Sequence, residues 1–197
     1  MTTFSELGIN DAYIKALKEL NIVTPTKIQS AVIPVLLENK TDLIGLAQTG
    51  TGKTAAFGLP VLNTIDPTKP QVQAVIIAPT RELVQQIKKQ LFKFTKYVEQ
   101  KIFVEGVYGG EKIEKQIKAL KRPTHIVVAT PGRLLDLIER KAVDINNAKT
   151  LILDEADEML SMGFKEDLNK IISYNTSKRN TWLFSATMPA EIKRIVN

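Results

Sequence analysis

Apolar residues along this chain follow two alternating patterns. Short runs rich in Val and Ile are typical of buried parallel strands, and longer stretches with apolar residues every three or four positions are typical of amphipathic helices. The predicted strands are residues 42–46, 73–78, 102–107, 125–129, 150–153 and 181–184. The predicted helices are residues 10–20, 26–38, 53–63, 82–97, 111–121 and 134–140, another directly after the acidic segment 154–157, and a last one starting at Met188 and Pro189.

This alternation predicts the α/β fold class, as a three-layer sandwich around a mostly parallel central sheet. Residues 1–40 are predicted to be helical and to precede the first strand. We therefore expect one domain over residues 1–197, with 1–40 as a helical extension packed on a core of 41–197.

Composition narrows the class of protein without fixing it. The 197 residues are 44% hydrophobic and 24% charged, which fits a folded domain with a sizeable core. The net charge of +6 permits an anionic partner but does not require one. One histidine and no cysteine argue against zinc and exclude disulfides. The sequence contains neither a membrane-length apolar run nor a signal peptide at its start, so we expect a cytoplasmic protein without a membrane partner.

A glycine-containing loop follows the first predicted strand and precedes a helix, the context that a phosphate-binding loop requires. Two glycines would let backbone amides turn toward phosphate oxygens, Lys53 would reach the β- and γ-phosphates, and the Thr54 hydroxyl would hold Mg²⁺. The alternative is a plain glycine-rich turn. The loop consists of Ala47, Gln48, Thr49, Gly50, Thr51, Gly52, Lys53 and Thr54, with Ala47 where the general motif has glycine.

A second acidic site is expected where strand 150–153 ends in Asp154, Glu155, Ala156 and Asp157. Ligands bind at the carboxyl ends of strands in such sheets. Asp154 would hold Mg²⁺, largely through water, and Glu155 would act as the general base that polarises the attacking water. The alternative is a helix N-terminus that carries acids because of its dipole.

The ordered set of motifs resembles the first RecA-like domain of the DEAD-box RNA helicases over essentially the whole chain. The acidic segment spells that family's signature, and the phosphate loop is its motif I. The other matching segments are Pro25-Thr26-Lys27-Ile28-Gln29, Pro79-Thr80-Arg81-Glu82-Leu83, Gly109-Gly110, Thr130-Pro131-Gly132-Arg133 and Ser185-Ala186-Thr187. The resemblance implies a RecA-like P-loop NTPase fold, with ATP and Mg²⁺ as cofactors and RNA as partner.

The resemblance also implies how adenine is recognised. Gln29 would read the adenine edge, because its amide can both donate and accept hydrogen bonds. Phe4 has the spacing of the family's isolated upstream aromatic residue. The chain departs from the family at Asn21-Ile22, where Gly-Phe is usual, so Ile22 would pack on the base without an aromatic face.

An RNA-binding face is implied at three other strand ends. The residues concerned are Pro79, Thr80, Arg81, Gly109, Gly110, Thr130, Gly132 and Arg133. Helix N-termini, hydroxyls and arginines suit phosphate groups, so binding should be insensitive to base sequence. The sequence shows no interleaved aromatic platform for stacking bases. Alternatively, both arginines are structural and pair with acids such as Glu82 or Asp136.

Basic residues are concentrated in residues 85–122, with ten Lys or Arg against four Asp or Glu. For most of these lysines the alternative of a solvated helical face stays open. The resemblance also implies that Ser185 and Thr187 bond Asp157, a contact that would couple the nucleotide state to RNA binding. His125 and Trp182 are expected to be structural, and Gly163-Phe164 to mark a bend.

No match to the motifs of a second RecA-like domain occurs in the sequence. We therefore expect the first domain of a longer helicase, which alone hydrolyses ATP scarcely or not at all and acts with a second such domain in cis. Two alternatives stay open: a nucleotide-dependent RNA clamp or scaffold that unwinds little, and a DNA translocase of a related group. The acidic signature and Gln29 argue against the second of these.

Overall fold

A six-stranded parallel sheet forms the centre of the molecule. The computed structural model describes residues 2–38 and 41–192, and the strands lie in the order β1-β6-β5-β2-β4-β3. Every neighbouring pair is parallel, so all strands end at the same edge of the sheet. The strands are β1 Leu43–Leu46, β2 Ala74–Ile77, β3 Val104–Val107, β4 Ile126–Ala129, β5 Thr150–Leu153 and β6 Asn180–Ser185.

Helices cover both faces of the sheet. One core cluster joins the helices of the first half of the chain to side chains such as Ile76 and Trp182, and a second joins later helices to Ile77 and Leu183. Adjacent strand residues therefore point into opposite layers, as the two-residue period of a strand requires. The helices are α1 Asp11–Glu19, α2 Lys27–Leu37, α3 Lys53–Thr64, α4 Arg81–Phe94, α5 Ile113–Leu120, α6 Pro131–Glu139, α7 Ala156–Ser161 and α8 Lys165–Tyr174.

The predicted α/β sandwich is confirmed, and each predicted strand is present with ends shifted by at most two residues. Helix α8 is not among the helices predicted from the sequence. Its buried stripe consists of only Leu168 and Ile171, which is a weak periodic signal. The predicted last helix is helical from residue 190 to 192, and the rest of it lies outside the described residues.

The departure at Asn21 has a local explanation. Asn21 has a φ of 58°, and the amides of Asn21 and Ile22 donate to the carbonyls of Lys18 and Leu17. This is the pattern that closes a helix with a left-handed residue after its C-cap, a position that favours glycine and tolerates asparagine. Asn21 thus ends α1 as the usual glycine would.

The residues expected to be structural are buried in the core. Trp182 is fully buried, and its indole N–H donates to the Thr41 carbonyl. The His125 Nδ1 atom accepts a hydrogen bond from the Phe103 amide, and burial lowers the pKa of His125. Gly163 adopts a φ of 87° at the bend between α7 and α8. Among the described residues, none of the helices combines the length and apolar character needed to cross a membrane.

Candidate functional site

The carboxyl edge of the sheet carries every motif that follows a strand, and the strand order divides these motifs into two halves. We call the loops after β1, β6 and β5 the phosphate-loop half, and those after β2, β4 and β3 the arginine half. Residues of the first half lie far apart in the chain but next to one another in space. The edge of a parallel sheet, particularly where the strand order reverses, is where such folds bind ligands.

The phosphate loop connects β1 to α3 with two left-handed glycines. Gly50 and Gly52 have φ values of 82° and 88°, and Gly52 is the N-cap of α3. A Cβ atom at Gly52 would lie 2.5 Å from Gln29 Nε2, so close packing as well as backbone conformation demands glycine there. Inside the loop, the Thr51 hydroxyl donates to the Gln48 carbonyl at 2.7 Å.

Lys53 forms an ion pair with the acidic segment. Its Nζ atom lies 3.3 Å from Asp154 Oδ1 and 3.9 Å from Glu155 Oε1. Lys53 and Asp154 are both buried. Burial raises the pKa of Asp154, although Lys53 opposes that shift. A buried carboxylate in this state favours an adjacent cation, and its oxygens are the ligands that Mg²⁺ prefers.

Glu155 is held in an uncommon backbone conformation at the start of α7. It has a φ of 52°, which places it in the left-handed region that bulky residues rarely adopt. Its Oε1 atom accepts a 3.0 Å hydrogen bond from the Thr49 hydroxyl. The acidic segment and the phosphate loop are therefore joined by a hydrogen bond as well as by charge.

Gln29 lies beneath the phosphate loop rather than open to solvent. It is 2% exposed, donates from Nε2 to the Gly52 carbonyl at 3.1 Å, and accepts from the Thr26 amide at 2.9 Å. Thr26 also bonds the loop through its hydroxyl, which donates to the Thr51 carbonyl at 2.9 Å. Gln29 retains one amide hydrogen and one acceptor lone pair with which to read a base.

The two hydrophobic residues expected near adenine, Phe4 and Ile22, differ in exposure. Phe4 is only 3% exposed and belongs to the core beneath α1 and α2, so its ring does not present a face to a ligand. In this structure Phe4 anchors the N-terminal segment, and its assignment as a cofactor-binding residue stays a prediction. Ile22 is half-buried at the margin of the same core.

The third strand end of the phosphate-loop half bonds directly to the acidic segment. The Thr187 hydroxyl and amide donate to Asp157 Oδ2 at 2.9 and 3.0 Å, and the Asp157 amide donates to the Ser185 hydroxyl at 3.3 Å. Burial alone would raise the pKa of Asp157, but the bonds from Thr187 and Ser185 outweigh it and lower that pKa.

In the arginine half, the loop after β2 turns directly into α4. Pro79 is buried, and the Thr80 hydroxyl caps α4 by accepting from the Leu83 amide at 3.2 Å. Arg81 is exposed, with its guanidinium carbon 5.0 Å from the centre of the Tyr108 ring. That contact places Arg81 beside the exposed turn of Gly109 and Gly110, where Gly110 has a φ of 81°.

Arg133 is oriented by contacts within the protein. Its Nη1 atom donates to the Glu111 carbonyl and to Gln116 Oε1, each at 3.0 Å. Thr130 and Gly132 flank it at the start of α6, where Gly132 is exposed. The acids considered as alternative partners are wrong for both arginines, since Asp136 pairs with Arg140 and Arg81 stacks on Tyr108.

Two residues of the arginine half were not predicted from the sequence to belong to the site. Gln116 is buried, accepts a hydrogen bond from Arg133 through Oε1, and donates from Nε2 to the Tyr108 carbonyl at 3.0 Å. No local pattern on α5 distinguishes it from other polar helical residues. Tyr108 directly precedes the glycine doublet, and that position was a usable signal for a residue of this loop.

Comparison with known proteins agrees with this geometry. The family model described as DEAD/DEAH box helicase matches residues 26–195. The chain belongs to the DEAD/DEAH box helicase family. It is 53% identical to the ATP-dependent RNA helicase CshA of Limosilactobacillus reuteri over 192 residues, covering 98% of this chain and 38% of that protein. The DEAD-box ATP-dependent RNA helicase CshA of Streptococcus pneumoniae is 55% identical, with 98% of this chain and 36% of that protein covered.

Solved structures of the family share the fold. A DEAD box protein from Methanococcus jannaschii superposes with a TM-score of 0.93 at 39% identity, covering 99% of this chain and 53% of that chain. The yeast DEAD-box splicing factor Prp28 gives a TM-score of 0.90 at 33% identity, with 99% and 49% coverage. The chain thus has the RecA-like fold of these helicases and spans under two fifths of the length of the curated relatives described above.

Proposed function

We propose that this chain is the first RecA-like domain of an ATP-dependent RNA helicase. It binds ATP at the phosphate-loop half and the sugar–phosphate backbone of one RNA strand at the arginine half. The complete protein hydrolyses ATP to unwind or remodel short RNA duplexes. The observation that carries the proposal is the shared sheet edge, which has the buried Lys53–Asp154 pair in one half and the exposed Arg81 and glycine doublet in the other.

Each residue of the phosphate-loop half has a distinct task in this proposal. The backbone amides around Gly50 and Gly52, with Gln48, Thr49 and Thr51 in the same loop, cradle the phosphates of ATP. Lys53 neutralises the charge that develops on the phosphate groups, and Glu155 orients and polarises the attacking water. Glu155 must first exchange its bond to Thr49 for one to that water.

The donor set also fits a magnesium ion. Thr54 and Asp154 would hold Mg²⁺, partly through water, and the ion would supply positive charge to the phosphate oxygens. The chemistry of the donors supports this assignment, because a hydroxyl and a buried carboxylate are both oxygen ligands of the kind that a hard cation takes.

Base selection is assigned to the segment that holds the loop from below. Gln29 would read the adenine edge with its remaining donor and acceptor, and Ile22 would pack against the base by dispersion. Because the Gln29 side-chain amide also donates to the Gly52 carbonyl, it would link adenine binding to the conformation of the phosphate loop.

RNA would be gripped by the three strand ends of the arginine half. Exposed Arg81, the amides at the start of α4 and α6, and the open Gly109-Gly110 turn suit phosphate and sugar groups. The coupling of ATP to RNA is assigned to the bridge of Asp157, Ser185 and Thr187, which joins two neighbouring strand ends.

The complete protein would carry a second RecA-like domain in cis. The short share of the relatives that this chain spans supports that partner. An arginine from such a domain can accelerate phosphoryl transfer by about 10³–10⁵, so the chain alone would be nearly inactive. A cytoplasmic location stays a prediction.

The test uses the complete protein with RNA and DNA strands of equal length. We expect ATPase activity that RNA stimulates more than DNA, and unwinding of a short RNA duplex. Glu155→Gln should lower the stimulated ATPase by about 10²–10⁴ through loss of the base. Glu158→Gln, a nearby exposed acid, is the matched control and should retain activity.

Two outcomes would contradict the proposal. RNA-stimulated hydrolysis without any duplex unwinding would make the protein a nucleotide-dependent RNA clamp. Stronger stimulation by DNA than by RNA would make it a DNA translocase.

A further inference from the structure

An open groove runs along the outer edge of the sheet, between α4 and the edge strand β3. Its upper part encloses about 280 Å³ and is lined by Gln85, Lys89, Phe92 and Tyr108, among others. A larger cavity of about 730 Å³ continues from it toward α1 and shares Phe92, Ile102 and Val104 as lining residues. The two form one continuous depression, which we call the α4–β3 groove.

The helical side of this groove is a polar and basic stripe. Its members recur at intervals of three and four residues along α4, so they share one face of the helix. With a rise of about 1.5 Å per residue, the stripe extends about 18 Å from Arg81 to Lys93. It consists of Arg81, Gln85, Lys88, Lys89, Phe92 and Lys93, with Lys96 in the turn after the helix.

Aromatic side chains are interleaved with these cations. Phe92 is 75% exposed in the middle of the groove, although large apolar side chains on helices are usually turned inward. At the upper end, Tyr108 carries the Arg81 guanidinium on its ring and accepts a 2.9 Å hydrogen bond from Gln85. The aromatic residues of this surface come from two different elements, α4 and the segment after β3, and both line the groove.

Charge on the groove favours an anion. Lys89 and Lys93 are exposed, and neither forms an ion pair within the described residues. The acids on the walls are largely neutralised, since Glu105 pairs with Lys88 and Glu19 pairs with Lys96. Glu99 is the remaining acid that lines the lower cavity, where Lys101 lies beside it.

The upper end of the groove meets the proposed RNA site. Arg81 begins the stripe and lies against the Gly109-Gly110 turn, where a Cβ at Gly110 would be 3.6 Å from its Nη1 atom. We propose that the α4–β3 groove is an extended subsite for single-stranded RNA that leaves this turn, with a base stacked on Phe92 and phosphates at Lys89 and Lys93. This inference rests on the proposed RNA binding at the sheet edge.

The combination of an exposed ring with unpaired lysines is how proteins bind single strands without sequence preference. An apolar peptide would use Phe92 but leave Lys89 and Lys93 without partners. Continuity with Arg81 favours the strand, and a protein partner is the competing occupant that the experiment must distinguish.

The experiment measures RNA affinity of the complete protein in the presence of a non-hydrolysable ATP analogue. Oligonucleotides of about 6 and about 16 nucleotides separate the sheet-edge site from the extension. Phe92→Ala should lower the affinity for the long oligonucleotide about tenfold and leave the affinity for the short one unchanged. Phe92→Trp, by contrast, should restore the affinity for the long oligonucleotide. A Lys89→Ala/Lys93→Ala double variant should lower the slope of log affinity against log salt by about 1.4 for the long strand.

Matched controls come from α8 and the loop after it, on the opposite face of the sheet. Tyr174→Ala removes an aromatic side chain that is 44% exposed, and Lys170→Ala/Lys178→Ala removes two exposed lysines. Neither should alter long-strand affinity. If Phe92→Ala binds the long oligonucleotide as tightly as the unaltered protein does, the proposed RNA subsite is wrong. The groove would then be a binding site for a protein partner. Failure of the unaltered protein to bind either oligonucleotide would instead overturn the proposed function, and the extension with it.

Discussion

The two halves of the sheet edge use charge in opposite ways. In the phosphate-loop half, Lys53 and Asp154 are buried together and bonded to their neighbours. In the arginine half, Arg81 and the glycine doublet are exposed, and beside it the ion pair of Lys88 on α4 with Glu105 on β3 is partly open to solvent. The first half is a preorganised pocket, and the second is a surface.

This difference determines how much a single residue can contribute to stability or to ligand binding. Charges in a buried site interact strongly because little water screens them, and removing one leaves the other without compensation. Exposed charges contribute little individually, so an extended ligand must be held by many of them. We therefore expect single substitutions to have large effects in the phosphate-loop half and small effects in the arginine half.

The largest expected effect follows from breaking the buried pair. Lys53→Ala leaves Asp154 buried and unpaired, and we expect the free energy of unfolding to fall by about 3–5 kcal/mol. Lys88→Ala, which breaks the partly exposed pair with Glu105 but leaves that carboxylate paired with Arg122, should cost no more than about 1 kcal/mol. Urea unfolding of the chain measures both.

A second variant separates charge from packing at the same position. Lys53→Ala/Asp154→Asn removes both charges, so it should recover part of the stability that Lys53→Ala loses. Equal losses for Lys53→Ala and Lys88→Ala would contradict the distinction between the two halves.

The location of the site could be predicted from the sequence because it depends on the parallel sheet. Apolar runs identified the strands, and residues that directly follow parallel strands must share one edge. That reasoning brought Lys53 to Asp154 across a hundred residues of chain. The pairing of Thr187 with Asp157 was implied by the family resemblance rather than by the sheet, and it is present as well.

What the sequence did not predict depends on the depth and direction of individual side chains. Phe4 looks like an available aromatic residue, and only the packing of α1 and α2 shows that it is enclosed. Gln116 reaches Arg133 from a helix whose polar positions look alike, and Phe92 and Tyr108 line one groove from distant segments of the chain. Such contacts are set by tertiary packing, which no local period encodes.

An intermediate effect is expected at the bridge between the acidic segment and β6. Asp157→Asn should lower the free energy of unfolding by about 1–2 kcal/mol at neutral pH, because charged acceptors form stronger hydrogen bonds. In the complete protein it should reduce RNA stimulation of the ATPase more than it reduces hydrolysis without RNA. Thr187→Ala removes one donor to the same carboxylate and should have a smaller effect in the same direction.

The lowered pKa of Asp157 predicts in which direction its contribution to stability changes with pH. The folded-state pKa of Asp157 is lowered, so its contribution to stability is complete above the usual value of 3.8 and is lost as the pH falls through the folded pKa. Urea unfolding should show the stability difference between the unaltered chain and Asp157→Asn shrinking with acidification below 3.8. A difference that grows in acid would contradict the bonding assigned to this carboxylate.

The smallest effect is expected from a single exposed cation in the arginine half. Arg81→Ala should weaken RNA binding by the complete protein by about 1 kcal/mol and reduce its salt slope by about 0.7, the value for one phosphate on a single strand. ATP affinity without RNA should be unchanged, since Arg81 touches Tyr108 and not the phosphate loop. Arg81→Lys keeps the charge but loses planar stacking, so it should preserve the salt slope while recovering only part of the affinity. A loss for Arg81→Ala as large as a hundredfold would mean that the arginine half is itself a preorganised pocket in the bound state, and the contrast between the halves would then hold only for the free protein.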